Sequence, residues 1–404
     1  MDDYNHFSFI AEFERTLDQM GFFLKKGFDD TDKGGRFFEK NGKRNKAIGR
    51  YKYIPDYKSS SGNHLIIYTF FETRDKTGKL ISGTRTEYFW HQPKGGAARN
   101  HKTQFDKEEY AKRRREAEKE ALELQKKFSE SAYKEYLELR SAYERSGLDV
   151  NNHKYLKRKN VLAGRGVILV CKNMKIESYY NQFKTDEKLF DFQYIKRNDL
   201  MVPAIDIDFL FRTYQKIDEN GGKKQRIDIT TVGAFYLLGE WNEETKRVYL
   251  VEGYATGYTI HRAMDDAVVL VCFDVNNVGV VLGLINSRYP NIEIIIGTDN
   301  DRKKSTKVGL YKGFEYSYIY NMPFIFPKFE DSPEYEELSD FNDLATVLLD
   351  FEIAAMIESQ INFFKTYGKN QCIKWVAQSN GLSLDNLKEY AEMSKVNNLF
   401  SSLF

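Results

Sequence analysis

An alternation of short apolar runs with longer helical stretches in residues 246–329 constrains the fold more than any other feature of this sequence. The apolar runs are KRVYLVEG, AVVLVCFD, IEIIIGTD and PFIFPKF, and the stretches between them are ATGYTIHRAM, VNNVGVVLGLINSRY and KVGLYKGFEYSYIY. Strands that alternate with helices of about 10–15 residues form right-handed βαβ units. The pattern therefore predicts an α/β domain in which a short parallel sheet is flanked by helices.

The rest of the chain divides into regions of different composition. A length of 404 residues favours two or three domains. A stretch without Gly or Pro, rich in Lys, Arg, Glu and Ala, predicts a solvated helix or helical hairpin, and a connector that only spaces two domains is the alternative. We expect a β-rich N-terminal module (1–100), a charged helical connector (101–149), an α+β subdomain (150–245), the α/β domain (246–348) and a C-terminal helical segment (349–404).

Composition excludes several classes of protein. The chain is 41% hydrophobic and 30% charged, and runs such as AVVLVCF are too short to cross a bilayer. The N-terminus MDDYNHFSF has no basic region before an apolar stretch, so no signal peptide is predicted. Cys171, Cys272 and Cys372 lie far apart, which argues against a disulfide scaffold or a zinc ribbon and suits a reducing cytoplasm. We therefore expect a cytoplasmic protein without structural zinc and without a membrane partner.

Acidic residues follow three of the predicted strands. Glu252 ends the first strand, Asp299 and Asp301 end the third, and Asp340 and Asp343 come after the fourth. In an open parallel sheet, functional groups collect at the carboxyl ends of the strands. Residues i and i+2 of an extended chain point the same way, so both aspartates of TDND can address one locus. The sequence therefore predicts that several carboxylates converge.

Converging carboxylates repel one another, which raises their pKa values unless a cation is present. Hard oxygen ligands are those that Mg²⁺ or Mn²⁺ prefers, and such a site suits phosphoryl chemistry. An ordinary acidic loop is the alternative for the TDND segment alone. The additional EG and DFND motifs favour a metal site.

The ordered set EG, DxD and DFND resembles the Toprim domain. More narrowly, VEGYATGYTIHRAM, IIIGTDND and SDFNDLA resemble the Toprim primases carried by phages and conjugative plasmids. The resemblance extends upstream to HKYLKRKNV, to LMVPAIDIDFLFRTYQKIDENGGKKQR and to VGAFYLLGE. It covers roughly residues 150–348, and the stretch GGRFFEKNGKRNKAIGRY is more weakly similar to an N-terminal module of these proteins.

The resemblance implies synthesis of RNA primers on a single-stranded DNA template, with NTPs and a divalent metal. Carried over by motif, Glu252, Asp299 and Asp301 would be the catalytic and metal-binding acids. Asp340 or Asp343 would give an auxiliary metal contact. Lys312 in GLYKG matches a lysine that recurs after the DxD motif in this family. No Walker A motif is present, so a replicative helicase partner would be encoded separately.

Two basic stretches are candidates for contact with nucleic acid. Residues 33–52 are rich in cations interleaved with aromatic residues, and Arg36, Lys43 and Arg44 are the main candidates. Cations can track a phosphate backbone while aromatic rings stack on unpaired bases. The second stretch, GGKKQR, follows a Gly-Gly turn and contains the candidates Lys223, Lys224 and Arg226. A basic turn beside core aromatics and a solvated hairpin tip are the respective alternatives.

Two other functions fit the same acids. A Toprim nuclease would use them to activate water and hydrolyse a phosphodiester, and a non-catalytic accessory protein would only bind nucleic acid. A nuclease of the overcoming-lysogenization type needs an ATPase domain, of which the sequence shows no sign. A Toprim topoisomerase needs a tyrosine-bearing strand-passage domain, for which no segment is evident. We therefore expect a nucleotidyltransferase.

Overall fold

The computed structural model divides the chain into two compact units. The first unit contains Met1–Gln125 and Glu177–Phe192, and the second contains Lys126–Ile176 and Gln193–Phe404. The residues that the structure describes are 10, 13–18, 20–24, 28, 34–39, 47–54, 65–71, 73–74, 80–82, 85–90, 103–183, 187, 190–300 and 308–383. The predicted site residues Asp301, Lys43 and Arg44 lie outside the described residues.

The first unit contains a five-stranded antiparallel sheet in the order β1-β2-β3-β4-β7. Its strands are β1 (Phe22–Leu24), β2 (Gly35–Glu39), β3 (Gly49–Ile54), β4 (Leu65–Phe70) and β7 (Arg85–Trp90). A two-stranded sheet is formed by β5 (Thr73–Arg74) and β6 (Leu80–Ser82). Phe13 and Leu17 in the helical residues 13–18 are buried with aromatic side chains from one face of the larger sheet.

Helix α1 (Thr103–Glu144) is the long charged helix that the sequence predicts. Its C-terminal part is not merely solvated, because a stripe of side chains at helical spacing is buried. This stripe consists of Phe128, Ala132, Tyr136 and Leu139. The Tyr136 hydroxyl also donates a hydrogen bond of 2.6 Å to the Gly166 carbonyl. The end of the helix is therefore part of the second unit's core, which a charge count alone does not indicate.

An antiparallel sheet precedes the predicted catalytic domain. Its order is β13-β12-β11-β8, and its strands are β8 (Ile168–Leu169), β11 (Leu200–Ile205), β12 (Phe211–Ile217) and β13 (Lys223–Gln225). A separate two-stranded sheet contains β9 (Met174–Glu177) and β10 (Phe192–Ile195). The short helix α2 (Lys154–Lys159) lies in the similar upstream motif HKYLKRKNV.

The central sheet has the order β14-β16-β15-β17-β18. Its strands are β14 (Tyr236–Leu238), β15 (Arg247–Val251), β16 (Val269–Val271), β17 (Glu293–Gly297) and β18 (Phe324–Ile325). The last four are parallel to one another, as the alternation of strands and helices predicts. The edge strand β14 pairs antiparallel with β16, and the alternating pattern does not include it in this sheet.

Helices cover both faces of the central sheet. They are α3 (Tyr254–Ala263), α4 (Val275–Arg288), α5 (Val308–Tyr320), the short α6 (Phe341–Leu344) and α7 (Asp350–Ser379), which contains a non-helical residue at Gly368. Adjacent residues of β15 enter different cores, because Tyr249 and Val251 belong to one apolar cluster and Val248 and Leu250 to the other.

The predicted mixed α/β fold is confirmed, whereas the five-segment division of the chain stays a prediction. Within the described residues, no helix is long and apolar enough to span a membrane.

Candidate active site

The strand order places a topological switch point between β15 and β17. From β15 the chain crosses through α3 to β16 on one side, and then through α4 to β17 on the other side. Ligands of open α/β sheets bind outside the carboxyl ends of the strands at such a point. Glu252 follows the last residue of β15, and Asp299 lies two residues beyond the end of β17. Both predicted acids therefore stand at the position where a ligand is expected.

One pocket brings three of the predicted side chains together. Its lining includes Glu252, Asp299 and Lys312, together with Thr298 and residues of α4 and α5. Lys312 also forms an ion pair of 2.8 Å with Glu315, one turn further along α5. The pocket therefore combines carboxylates with an ammonium group that can offset added negative charge.

Two glycines of the GLYKG region let helix α5 approach the end of β17 closely. A Cβ added to Gly309 would lie 2.5 Å from the Asp299 carbonyl oxygen, and one added to Gly313 would lie 2.7 Å from Thr298 Cγ2. Real Cβ atoms do not tolerate such distances, so glycine is required at this interface. The spacing of the two glycines thus fixes the helix that carries Lys312 against the strand that carries Asp299.

Helix α3 contributes a further contact to Asp299. The Thr256 hydroxyl, which is buried in the first turn of α3, donates a hydrogen bond of 3.5 Å to Asp299 Oδ1. Gly253 is the N-cap of α3. A Cβ atom added to Gly253 would lie 3.6 Å from the Nζ atom of Lys223. The structure therefore brings the predicted basic residue Lys223 to the EG motif. Thr256 was not a candidate in the sequence, because a threonine in a helix gives no distinctive signal.

Asn300, which follows Asp299, anchors the chain just beyond the end of β17. Its backbone N–H donates to the Ser339 carbonyl at 3.1 Å, and its side-chain amide donates to the Pro327 carbonyl at 3.0 Å. The residue is buried, and its Oδ1 atom has no hydrogen-bond partner among the residues that the structure describes. Asn300 therefore connects the end of β17 to the segment before the DFND motif.

The two aspartates of DFND have structural partners. Asp340 is the N-cap of α6 and accepts a hydrogen bond of 2.7 Å from the Asp343 backbone N–H. Asp343 accepts hydrogen bonds from the Lys159 ammonium at 2.9 Å and from the Ser339 hydroxyl at 2.8 Å. Neither aspartate is among the residues that line the pocket of Glu252 and Asp299. The predicted auxiliary metal contact of Asp340 or Asp343 therefore stays a prediction.

Opposite pKa shifts reflect the different surroundings of these two aspartates. Burial and then the nearby Asp343 carboxylate raise the pKa of Asp340. Burial alone would also raise the pKa of Asp343. The hydrogen bonds from Lys159 and Ser339 outweigh that effect, so the pKa of Asp343 is lowered. Lys159 comes from α2, far away in sequence, and is not among the residues that the sequence predicts for the site. The DFND motif thus holds α2 against α6.

The donor set of the pocket fits a divalent cation only in part. Among the described residues, no group of three His, Cys, Asp or Glu side chains is placed to hold a metal. Asp301, the third predicted ligand, lies outside these residues. Mg²⁺ is commonly bound by one or two carboxylates, with waters and substrate phosphates as its other ligands. Glu252 and Asp299 supply hard oxygen atoms in one pocket, so the chemistry of the pair fits Mg²⁺ or Mn²⁺.

The remaining basic candidates differ in exposure. Arg36 and Lys224 are exposed, on β2 and β13 respectively. Arg226 is only 5% exposed, and its guanidinium donates to both carboxylate oxygens of Glu135 in α1 and to the Ile227 carbonyl. The structure therefore gives Arg226 a structural role in place of the predicted contact with nucleic acid. A local sequence could not indicate this, because Glu135 lies far away along the chain.

Comparison with known proteins agrees with the motifs. No protein-family model matches the chain. A segment of 114 residues is 32% identical to a DNA primase TraC of Escherichia coli and covers 28% of this chain and 11% of that protein. A second TraC primase of Escherichia coli is 32% identical over 103 residues, which are 25% of this chain and 7% of that protein. The chain thus matches only a small part of these relatives, and the resemblance to phage- and plasmid-type DNA primases is confirmed.

Solved structures show a weaker likeness. The catalytic domain of a DnaG primase bound to single-stranded DNA has a TM-score of 0.43 at 13% identity, over 68% of this chain and 93% of that chain. A DNA primase domain from Pseudomonas aeruginosa has a TM-score of 0.37 at 12% identity, over 64% of this chain and 99% of that chain. Because these scores are low, the fold assignment rests on the strand order of the chain itself.

Proposed function

We propose that this chain is a metal-dependent DNA primase that joins NTPs into short RNA primers on single-stranded DNA. The observation that carries the proposal is the pocket at the switch point, where Glu252, Asp299 and Lys312 meet. The ordered EG, DxD and DFND motifs and the identity to TraC primases support it further. A bacterial cytoplasm would be the site of action, and a replicative helicase would be a partner.

The proposed reaction transfers a nucleotidyl group. The 3′ oxygen of one nucleotide attacks the α-phosphorus of an incoming NTP and loses its proton. The new O–P bond forms as the bond from the α-phosphorus to the bridging oxygen breaks, and pyrophosphate leaves. Negative charge builds up on the phosphate oxygens, so catalysis of this kind depends on positioning and on neutralising charge.

The described side chains can divide these tasks. Glu252 and Asp299, with Asp301 as an additional candidate, would hold Mg²⁺ or Mn²⁺. When bound, the metal would offset charge on the phosphates and help to orient the oxygens. Thr256 donates to Asp299 Oδ1 and so orients that carboxylate. Alternatively, Glu252 would be the base that takes up the proton of the 3′ hydroxyl, and Asp299 and Asp301 would hold the metal.

Cations at the rim of the pocket would bind the leaving phosphates. Lys312 lines the pocket and is held by Glu315, which limits the positions that its ammonium group can take. Lys223 lies beside Gly253 and is exposed, so it can reach a triphosphate or the template at the EG motif. Lysine acts as a point charge toward phosphate and needs no fixed bidentate geometry.

The proposal is tested by incubating the full chain with a single-stranded DNA template, labelled NTPs and Mg²⁺ or Mn²⁺. Both the appearance of primers and the loss of template are followed. We expect primers from the unmodified chain and at least a hundredfold lower rate from Asp299→Asn. The exposed residue Asp331 provides a matched control, since Asp331→Asn removes the same charge away from the pocket lining.

The outcomes separate the competing functions. Template cleavage that needs Asp299 but yields no primers would assign a nuclease to the same pocket. Binding of nucleic acid without synthesis or cleavage would assign an accessory role. Equal primer yields from Asp299→Asn and Asp331→Asn would remove the pocket from the chemistry.

A further inference from the structure

The five-stranded sheet of the first unit has one packed face. Along β3 the side chains alternate between buried and exposed, and Tyr51 and Tyr53 point into the core. Phe37 of β2 and Tyr68 of β4 belong to the same aromatic cluster. Because successive residues of a strand point to opposite faces, the residues between these belong to the other face.

A row of polar side chains crosses four strands on this second face. Arg36 of β2 lies opposite Arg50 of β3, which lies opposite Thr69 of β4, and Thr69 lies opposite Thr86 of β7. The Thr69 and Thr86 hydroxyls are 3.1 Å apart, which confirms that these side chains share a face. Lys52, two residues after Arg50 on β3, adds a third cation. We call Arg36, Arg50, Lys52, Thr69 and Thr86 the basic row.

The cations of the basic row have no counter-charge within the described part of the chain. Arg36, Arg50 and Lys52 are all exposed, and none of them forms a hydrogen bond or ion pair with a residue that the structure describes. Like charges directly opposite each other on neighbouring strands destabilise a sheet. Arg36 and Arg50 are such a pair. An anionic ligand that binds both would remove this repulsion.

Aromatic side chains adjoin the basic row. Phe38 lies two residues after Arg36 on β2, and therefore on the same face. It pairs with Phe23 of β1, and the two ring centroids are 5.8 Å apart. A surface that combines cations with aromatic rings suits a single-stranded nucleic acid, since phosphates bind the cations and unpaired bases stack on the rings. A duplex offers the same phosphates but keeps its bases stacked inside.

From these observations we infer that the basic row and the Phe23–Phe38 pair form a binding surface for single-stranded DNA, separate from the catalytic pocket. The surface lies wholly within the first compact unit, whereas Glu252 and Asp299 belong to the second. Only the choice of DNA over RNA rests on the proposed function. The cations would contact the phosphate backbone without regard to sequence, and the rings would give the preference for unpaired bases.

The test measures binding of the full chain to a fluorescent single-stranded oligodeoxynucleotide by anisotropy, over a range of salt concentrations. The double variant Arg36→Gln with Arg50→Gln should bind about tenfold more weakly at low salt. It should also lower the slope of log K against log salt by about 1.4, since each phosphate contact on a single strand contributes about 0.7. The matched control is Lys126→Gln with Lys127→Gln, which removes two exposed charges from α1 and should change the affinity less than twofold.

A second variant separates stacking from charge. Phe38→Leu should weaken binding of single-stranded DNA by about fivefold or more, because stacking on an aromatic ring contributes roughly 1–3 kcal/mol per base. It should leave the salt slope and the weaker binding of duplex DNA unchanged. Far-UV circular dichroism and thermal unfolding of each variant establish that it is folded before affinities are compared.

Three results would overturn the inference. They are equal affinity and salt slope in the arginine variant and its control, equal binding of single-stranded and duplex DNA, and tighter binding of an RNA of the same sequence. Failure of the proposed function is distinguishable from these results. A chain that makes no primers, but whose DNA affinity still falls with Arg36→Gln and Arg50→Gln, keeps the surface and loses the primase assignment.

Discussion

Gly309 controls how closely helix α5 approaches Asp299. A Cβ at this position would lie 2.5 Å from the Asp299 carbonyl oxygen, which is backbone and cannot rotate away. Gly309→Ala should therefore displace the end of β17, and a displacement of about 1 Å at a reacting centre can cost roughly a hundredfold in rate. We expect at least a tenfold loss of primer synthesis, measured with saturating template and NTPs, and a lower melting temperature.

Gly283→Ala is the matched control for this prediction. Gly283 lies in α4, and its added Cβ would lie 3.0 Å from the Tyr320 hydroxyl, the free end of a side chain that can move. Alanine favours a helix interior over glycine by about 1 kcal/mol, so this variant should keep its activity and its stability. If both variants are equally active, the close approach of α5 is not needed for the site.

The sequence predicts the positions of the pocket acids better than the roles of the DFND aspartates. Glu252 and Asp299 could be placed because they lie within two residues of the ends of apolar runs whose order in the sheet is restricted by βαβ geometry. The DFND acids could not be assigned in the same way, because aspartate is also a common N-cap residue, which is the role of Asp340. The partner of Asp343, Lys159, is set only by the tertiary fold.

Among the elements, helix α1 departs most from what the sequence predicts. Its charged composition predicts a solvated connector, yet Glu135 on its inner side binds Arg226, with side-chain exposures of 15% and 5% respectively. The Tyr214 hydroxyl donates to the same carboxylate at 2.7 Å. The parallel strands were predictable because their apolar runs are continuous and short. The docking of α1 could not be predicted from the sequence, because a few buried residues among many charged ones give only a weak periodic pattern.

The ion pair between Glu135 and Arg226 should be needed to hold α1 in place. Removing one partner of a buried pair leaves the other charge without compensation and costs about 3–5 kcal/mol. We expect Glu135→Gln to lower the free energy of unfolding by an amount of this order, measured by urea denaturation with far-UV circular dichroism. The double variant with Arg226→Met should recover part of the loss, because it leaves no unpaired charge.

A second ion pair that involves α1, but is exposed, serves as the control for this prediction. Glu138 binds Lys172, and both side chains are about half exposed, at 57% and 46%. Exposed ion pairs contribute about 0–1 kcal/mol, so Glu138→Gln should change the free energy of unfolding by less than 1 kcal/mol. Similar losses from Glu135→Gln and Glu138→Gln would mean that the buried pair does not anchor the helix.

At the scale of the whole molecule, a ligand that binds only the folded state raises its stability. If Glu252 and Asp299 hold a divalent cation, Mg²⁺ together with an NTP should raise the melting temperature. At a ligand concentration a hundred times the dissociation constant, the gain is about 2.7 kcal/mol. Asp299→Asn should abolish most of the shift, whereas Asp331→Asn should keep it. Equal shifts in the two variants, measured by differential scanning calorimetry, would place the cation elsewhere.

Stability of the second unit should also fall in mild acid, because of one histidine. His153 is 3% exposed, and its Nδ1 atom accepts a hydrogen bond of 3.2 Å from the Tyr155 backbone N–H at the start of α2. Its Nε2 atom has no hydrogen-bond partner within the described part of the chain. Burial lowers the pKa of His153 from its ordinary value of 6.5. Protonation would remove the acceptor and place a charge in the interior.

The direction of the pH effect follows from that shift. Between the lowered pKa of folded His153 and its ordinary value of 6.5, the unfolded chain binds more protons than the folded one. The stabilising contribution is therefore complete above pH 6.5 and is lost as the pH falls through the folded pKa, by at most about 1.4 kcal/mol per pH unit. His153→Asn keeps a cap acceptor but cannot titrate. Urea denaturation from pH 7.5 to pH 5 should therefore show a shallower decline for His153→Asn than for the unmodified chain, since all other titrating groups are shared. Parallel declines would show that the pKa of His153 is the same in the folded and the unfolded chain.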